Sequence, residues 1–315
     1  MKKPIVVLTG PTAVGKTELS IQLAKAIGGE IISADSMQVY KHMDVGSAKI
    51  TPEEMDGVRH YLVDELEPFD EFHVVKFQEY AQKYLNEIYA HEKIPIIAGG
   101  TGFYIQALLN DIDFTEQESD SAYRKELEAL AEEHGNQYLH DRLKEVDPES
   151  AEAIHPNNRK RVIRALEFYQ ETGRKISEHN AKEQMRTSPY NFAYFVLNDE
   201  RSHLYKRIDA RVDKMIEDGL EAEVRRLKEM GCTKDMVAMQ GIGYKEMLSY
   251  LDGGYSLEEA VYIIKRETRH FAKRQITWFK RERDVIWLNK NEFDYKNEAI
   301  LAYMIKILKE KAIIS

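Results

Sequence analysis

The sequence predicts an α/β fold, with a parallel sheet covered by helices on both faces and an inserted all-helical domain. Three observations predict it. Short, continuously apolar runs at 5–8, 94–98 and 193–197 alternate with segments of helical spacing, as expected of strands buried on both faces. A Gly-rich turn joins the first run to the first helix. Between Tyr123 and Gln170 the strand pattern vanishes and only helical spacing remains.

The elements follow in order. After the turn, residues 18–27 are apolar at Leu19, Leu23 and Ile27, and Gly28-Gly29 ends the helix. Residues 30–33 form a second strand closing on Asp35. Residues 74–89 are amphipathic, with Phe77, Ala81, Tyr84, Leu85 and Ile88 on one face. The strand at 94–98 is stopped by Gly99-Gly100, and a helix begins near Phe103. Residues 126–133, 136–146 and 160–171 read as helices, and 193–197 returns to the sheet. The expected division is a core of 1–114 with 193–315, and an insertion of 115–192. Helices at 204–218, 220–230 and 257–281 and a last strand at 285–288 complete the core.

Composition narrows the function. The chain has 315 residues, 43% apolar and 31% charged, which is ordinary for a folded globular protein. No apolar run approaches the roughly 20 residues needed to span a bilayer, so no membrane partner is expected. Gly10-Pro11 interrupts the N-terminal apolar stretch, favouring a buried strand over a signal peptide. The single cysteine, Cys232, forms no intrachain disulfide and rules out multi-cysteine zinc sites; a cytoplasmic monomer is expected. The net charge of −9 is unevenly spread. Residues 116–155 hold twelve acidic against four basic residues, and 260–285 hold eight basic against three acidic. The basic part can face a polyanion while the acidic part faces solvent.

Gly10-Pro11-Thr12-Ala13-Val14-Gly15-Lys16-Thr17 fits G-x-x-x-x-G-K-[ST] in full, after a strand and opening a helix. Its backbone N–H groups, the helix N-terminus and Lys16 can cradle a diphosphate, and the Thr17 hydroxyl can hold Mg²⁺. The motif does not say whose phosphate it holds. NTPases of this class end a strand in an acidic residue near the metal, but here 94–98 ends in Gly99-Gly100-Thr101-Gly102. The carboxylate expected beside the phosphates is Asp35, suited to a metal-linked role or a general base, against the plainer reading of a turn aspartate. Asn289-Lys290-Asn291-Glu292 narrowly misses a guanine-reading motif and is treated as chance.

Arg266, Arg269, Lys273 and Lys280 form a stripe, with His270, Arg274 and Arg281 one position behind and Phe271, Trp278 and Phe279 interleaved. Such a helix can contact several phosphates, or be a solvated face over a buried aromatic one. Lys160, Arg161 and Arg164 form a second basic cluster.

The stretches GPTAVGKT at 10–17, SADSMQVY at 33–40, MDVGSAKI at 43–50, IAGGTGFYI at 97–105, HPNNRKRVIRALE at 155–167, RIDARVDKMIEDGLEAEV at 207–224, QGIGYKE at 240–246 and RHFAKRQITWF at 269–279 carry a resemblance. In this order the chain resembles the tRNA dimethylallyltransferases, or tRNA isopentenyltransferases, over essentially its whole length. The resemblance implies a P-loop kinase-like core with an inserted helical domain. It implies dimethylallyl diphosphate and the anticodon arm of tRNA as substrates, with Mg²⁺. The reaction implied is alkylation of the exocyclic amine of the adenosine 3′ to the anticodon, releasing diphosphate. Asp35 would be the general base, with Ser36, Met37 and Gln38 lining the base pocket. Thr101 would contact the target nucleotide and Arg211 would cover the diphosphate. Lys160, Arg161, Val162, Ile163 and Arg164, and Gln240, Gly241, Ile242, Gly243, Tyr244 and Lys245, would contact the anticodon arm, as would Arg124. The rival readings are an ATP-dependent small-molecule or nucleotide kinase, and a non-catalytic nucleotide-dependent RNA binder.

Overall fold

The computed structural model describes residues 2–112, 122–184 and 186–315. Two compact units emerge, one formed by Met1–Leu109 with Pro189–Ser315 and the other by Asn110–Ser188. The first unit opens with β1 (Lys3–Thr9), α1 (Lys16–Ile27), β2 (Gly29–Ala34), α2 (Pro52–Met55), β3 (His60–Tyr61), α3 (Val74–Ala90), β4 (Ile94–Gly99) and α4 (Gly102–Leu109). The second unit holds α5 (Ala122–His134), α6 (Asn136–Val146), α7 (Pro148–Ala153), α8 (Arg159–Thr172) and α9 (Ile176–Gln184). The chain then returns through β5 (Tyr190–Asn198), α10 (Arg201–Glu217), α11 (Leu220–Glu229), α12 (Tyr244–Leu251), α13 (Leu257–Phe279), β6 (Val285–Asn289) and α14 (Asn297–Glu310).

All six strands are parallel, in the order β3-β2-β4-β1-β5-β6. Pleating sends alternate residues to opposite faces. Ile5 and Val7 pack with Ile32, Ile97, Tyr194 and Val196 on the face covered by residues of α3, α4, α11, α12 and α13. Val6 and Leu8 pack with Ile31, Ile96, Phe195 and Leu197 on the face covered by α1 and α14. Ile5, Val6, Val7 and Leu8 are all 0% exposed, which explains why the run carries no polar alternation. Each such side chain contributes roughly 1.5–3 kcal/mol on burial. Successive strands β1 and β2 are separated by β4, while β5 lies on β1's other side. That reversal opens a crevice at the strands' C-terminal ends, where ligands of open α/β sheets bind.

The second unit is helical throughout its described residues. Its core contains Leu127, Leu139, Leu143, Val162, Ile163 and Leu166. Val162 and Ile163 are 0% and 3% exposed: their side chains hold α8 in its own unit, so any contact of theirs with nucleic acid would be through the backbone. Buried Asp147 accepts hydrogen bonds from the N–H and hydroxyl of both Ser150 and Ser177, tying α7 to α9.

The boundaries also move. β5 begins at Tyr190, so the second unit ends ahead of the expected residue 192. The expected boundary at 114–115 lies outside the described residues. Elements not anticipated are α2, β3, α7, α9, α12 and α14.

Candidate active site

The loop between β1 and α1 is shaped by backbone that side-chain-bearing residues resist. Gly15, at the N-cap of α1, has φ 101°, and Ala13 adopts φ 62°. A Cβ on Gly10 would lie 2.2 Å from the Leu197 carbonyl oxygen, so the loop is pressed against β5. Lys16 curls back over the loop, its Nζ donating to the Gly10 and Pro11 carbonyls at 3.0 and 2.8 Å. Burial and nearby Arg211 pull its pKa down to about 7, against the opposing pull of Asp35.

Two arginines one helical turn apart on α10 face this loop. Arg207 Nε donates to the Ala13 carbonyl at 2.8 Å. Arg207 and Arg211 line one cavity with Ala13, Gly15, Lys16 and Thr17. Burial lowers the Arg211 pKa, partly offset by Asp35, and Arg207 lowers it further. Behind the loop, Lys290 is buried, with Nζ 3.4 Å from the Val14 carbonyl. Four cations around one loop form a site whose electrostatics call for a multiply charged anion.

Arg211 and Lys16 also line a second cavity, together with Thr12, Thr17, Asp35, Gln38, Gly100 and Gln275. Asp35 follows β2. Its Oδ1 accepts from the N–H of Met37 at 2.8 Å and of Gln38 at 3.3 Å, while no described residue donates to Oδ2. The aspartate is thus both a turn residue and a cavity wall, with an oxygen to spare. Thr101 immediately precedes α4: its N–H donates to the Ala34 carbonyl, and its carbonyl accepts from the N–H groups of Tyr104 and Ile105. β4 carries no acid because there is no room for one. A Cβ on Gly99 would meet the Ala34 backbone oxygen at 2.3 Å, and one on Gly100 the Gln275 amide at 2.3 Å.

Thr17 and Asp35 supply a hydroxyl and a carboxylate to that second cavity. The Thr17 hydroxyl, completed by diphosphate oxygens and water, fits Mg²⁺, which usually keeps several waters, and the free Asp35 oxygen is left for proton transfer.

The basic helix divides. Lys265 pairs with Asp213 at 2.5 Å, Arg269 pairs with Asp209, and Arg266 pairs with Glu267. Phe279 is buried, Trp278 closes on Gly102, and Phe271 lines the second cavity. Lys273, Arg274, Lys280 and Arg281 face solvent.

The QGIGYK stretch divides too. Gln240 is exposed, but Tyr244 is 0% exposed and its hydroxyl donates to Glu223 at 2.8 Å. Burial removes the Tyr244 side chain from the expected surface contacts, and Gly243 is buried as well. In the helical unit Lys160 and Arg161 are exposed and Arg164 is half-buried. Arg124, its side chain 31% exposed, is bound in a two-pronged pair with buried Glu167, at 2.9 and 2.6 Å. Sequence reasoning missed Arg207, Lys290 and Gln275. The four-residue spacing of Arg207 and Arg211 was a readable signal.

A loop that cradles phosphate, cations that converge on it and a carboxylate across the cavity define a P-loop α/β enzyme handling a diphosphate ester. The IPP transferase family profile matches residues 38–282. A tRNA dimethylallyltransferase of Lachnoclostridium phytofermentans is 64% identical over 313 residues, 99% of either chain. The solved full-length tRNA isopentenylpyrophosphate transferase of Bacillus halodurans is 45% identical, with a TM-score of 0.74 over 99% of this chain and 98% of that one. A eukaryotic dimethylallyltransferase solved acting on tRNA is 32% identical, with a TM-score of 0.78 over 91% of this chain and 74% of that one. The chain belongs to the IPP transferase family. No helix among the described residues is long and apolar enough to cross a membrane.

Proposed function

We propose that the protein transfers a dimethylallyl group from dimethylallyl diphosphate to the exocyclic amine of the adenosine 3′ to the anticodon in tRNA. The observation that carries this reading is one cavity lined by Lys16, Thr17 and Arg211 on the phosphate side and by Asp35 and Gln38 on the acceptor side. The relatives do not favour the kinase alternative.

The adenine amine is a weak nucleophile, its lone pair delocalised into the ring. Asp35, with Oδ1 fixed by two backbone N–H groups, offers Oδ2 to take the amine proton as the new C–N bond forms. The C–O bond to diphosphate breaks with its electron pair going to the leaving oxygen. Loop N–H groups, Lys16, Arg211 and Arg207 stabilise that charge. Thr17 would hold Mg²⁺, whose positive charge would further stabilise the leaving diphosphate. The target base must leave its stack, at a cost of a few kcal/mol, to reach this cavity. Ser36, Met37 and Thr101 do not themselves line the cavity but adjoin lining residues Asp35, Gln38 and Gly100, which is what supports their assignment to the acceptor side, and exposed Lys160 and Arg161 suit the anticodon arm. A monomer acting in the cytoplasm, where tRNA is available, fits this substrate.

The test incubates the purified chain, Mg²⁺ and unmodified tRNA with labelled dimethylallyl diphosphate, and with labelled ATP in parallel. Prenyl label entering tRNA supports the reading. Phosphate transfer from ATP without prenyl transfer would sink it.

A further inference from the structure

We propose that Glu223 is a positioning residue for the transfer, holding the cavity wall that faces Asp35 from a helix remote in sequence. The inference rests on the function proposed above and deepens it.

Glu223 lies on α11 and is 3% exposed. Its Oε2 accepts from the N–H of Asp44 at 2.7 Å and of Val45 at 2.8 Å. Its Oε1 accepts from the N–H of Gly46 at 3.0 Å and from the Tyr244 hydroxyl at 2.8 Å. Three successive amides form a concavity of the kind that binds anions, and here the protein's own carboxylate fills it. No lysine or arginine among the described residues pairs with Glu223, so the amides and the phenol carry its charge alone. The Tyr244 ring seals the arrangement: a Cβ on Gly46 would lie 2.6 Å from its Cζ.

The captured loop leads to the cavity. Two residues past Gly46, the Ala48 carbonyl accepts from Gln38 Nε2 at 3.2 Å. Ile50 follows, and both Gln38 and Ile50 line the cavity with Asp35, Lys16 and Arg211. From the other side the segment before α12 presses on the same wall, because a Cβ on Gly241 would lie 2.7 Å from Met37 Sδ. Asp35 is held by the amides of Met37 and Gln38, so slack in the wall reaches the base itself. The phosphate loop makes none of these contacts.

Glu223→Gln keeps the shape but removes the charge and turns one acceptor into a donor facing N–H groups. We expect kcat for prenyl transfer to tRNA to fall about 10- to 30-fold, a loss made in the transition state. Calorimetric affinity for inorganic diphosphate with Mg²⁺ should stay within about twofold, because binding there does not use the wall. Gln38→Ala should also slow transfer, and the double variant should be little worse than the poorer single one, since both act through one wall. Tyr244→Phe, which removes one donor, should show the same split at roughly two- to fivefold and serves if Glu223→Gln does not fold. Wild-type transfer by Glu223→Gln, a parallel loss of diphosphate affinity, or strictly additive single variants would each overturn the inference. A wild-type chain that transfers no prenyl group would overturn the proposed function, and this assignment with it.

Discussion

The side-chain amide of Gln275 joins Thr12 to Gly100: its Oε1 accepts from the Thr12 N–H and its Nε2 donates to the Gly100 carbonyl, each at 2.9 Å. One buried residue of α13 thus spaces the phosphate loop from the turn that carries Thr101. Gln275→Glu can still accept from Thr12 but sets a carboxylate against the Gly100 oxygen. A loss of about 2 kcal/mol, or roughly 30-fold in kcat/KM, is expected from the unpaired buried carbonyl and the displaced loop. Steady-state kinetics on both substrates would check it; unchanged kcat/KM would show that the bridge is not needed.

Lys16 gives a pH signature. Its folded pKa of about 7 lies below the ordinary 10.5, so the unfolded chain binds this proton more readily between those values. Its burial therefore costs stability at and below pH 7, and the cost is relieved as pH rises towards 10.5. A bound diphosphate restores the charged form. Diphosphate affinity should fall as pH rises above 7, with proton uptake at pH 8. Calorimetry in two buffers of different ionisation enthalpy reads the uptake. Lys16→Arg, which stays charged, should lose the part of the slope that exceeds the ligand's own titration.

Asp35 and Arg211 should separate chemistry from tRNA binding. Asp35→Asn should abolish detectable transfer, a loss of at least ~10²-fold, with tRNA affinity near wild type. Arg211→Ala should lower turnover by a similar factor through weaker hold on the departing charge. Filter binding of tRNA beside single-turnover transfer distinguishes these losses from failure to bind RNA.

Glu282 concerns stability. Burial raises its carboxyl pKa to about 7, and Gln106 Nε2 donates to its Oε1 at 3.2 Å. A raised pKa means this group's stabilising contribution is full below about 4.5 and is lost as pH rises through 7. Glu282→Gln should melt several degrees above wild type at pH 8, and the two should converge near pH 5. Equal melting points at pH 8 would show that the carboxyl is ionised without penalty.

The sheet and the phosphate loop were legible because β1, β4 and β5 are buried on both faces, so their sequences are apolar throughout. Asp35 was legible because it directly follows a strand. α14 left a signal that was overlooked, with Ile300, Met304 and Leu308 spaced at one turn each and all buried. The stretch between β2 and α3 was not readable, since β3 has two residues and α2 has four. Gln275, Lys290 and Glu223 meet backbone partners 175 to 276 residues away, and local pattern carries no trace of such contacts. Val162, Ile163 and Tyr244 show the converse: they lie in stretches read as ligand contacts, but their side chains are buried. A motif can persist because its side chains pack, even when its neighbours in sequence suit a ligand.

The sheet order has a consequence for biosynthesis. β1 can pair with β4 once residue 99 has been made, but its other edge waits for β5, which begins at Tyr190. At about 5–20 residues per second, the helical unit's passage through the ribosome leaves that central strand half-paired for several seconds. An apolar strand with an open edge is a template for aggregation. The nascent chain should therefore lean on chaperones in that interval, and ribosome-bound chains arrested before Tyr190 should be the ones that holdase chaperones capture.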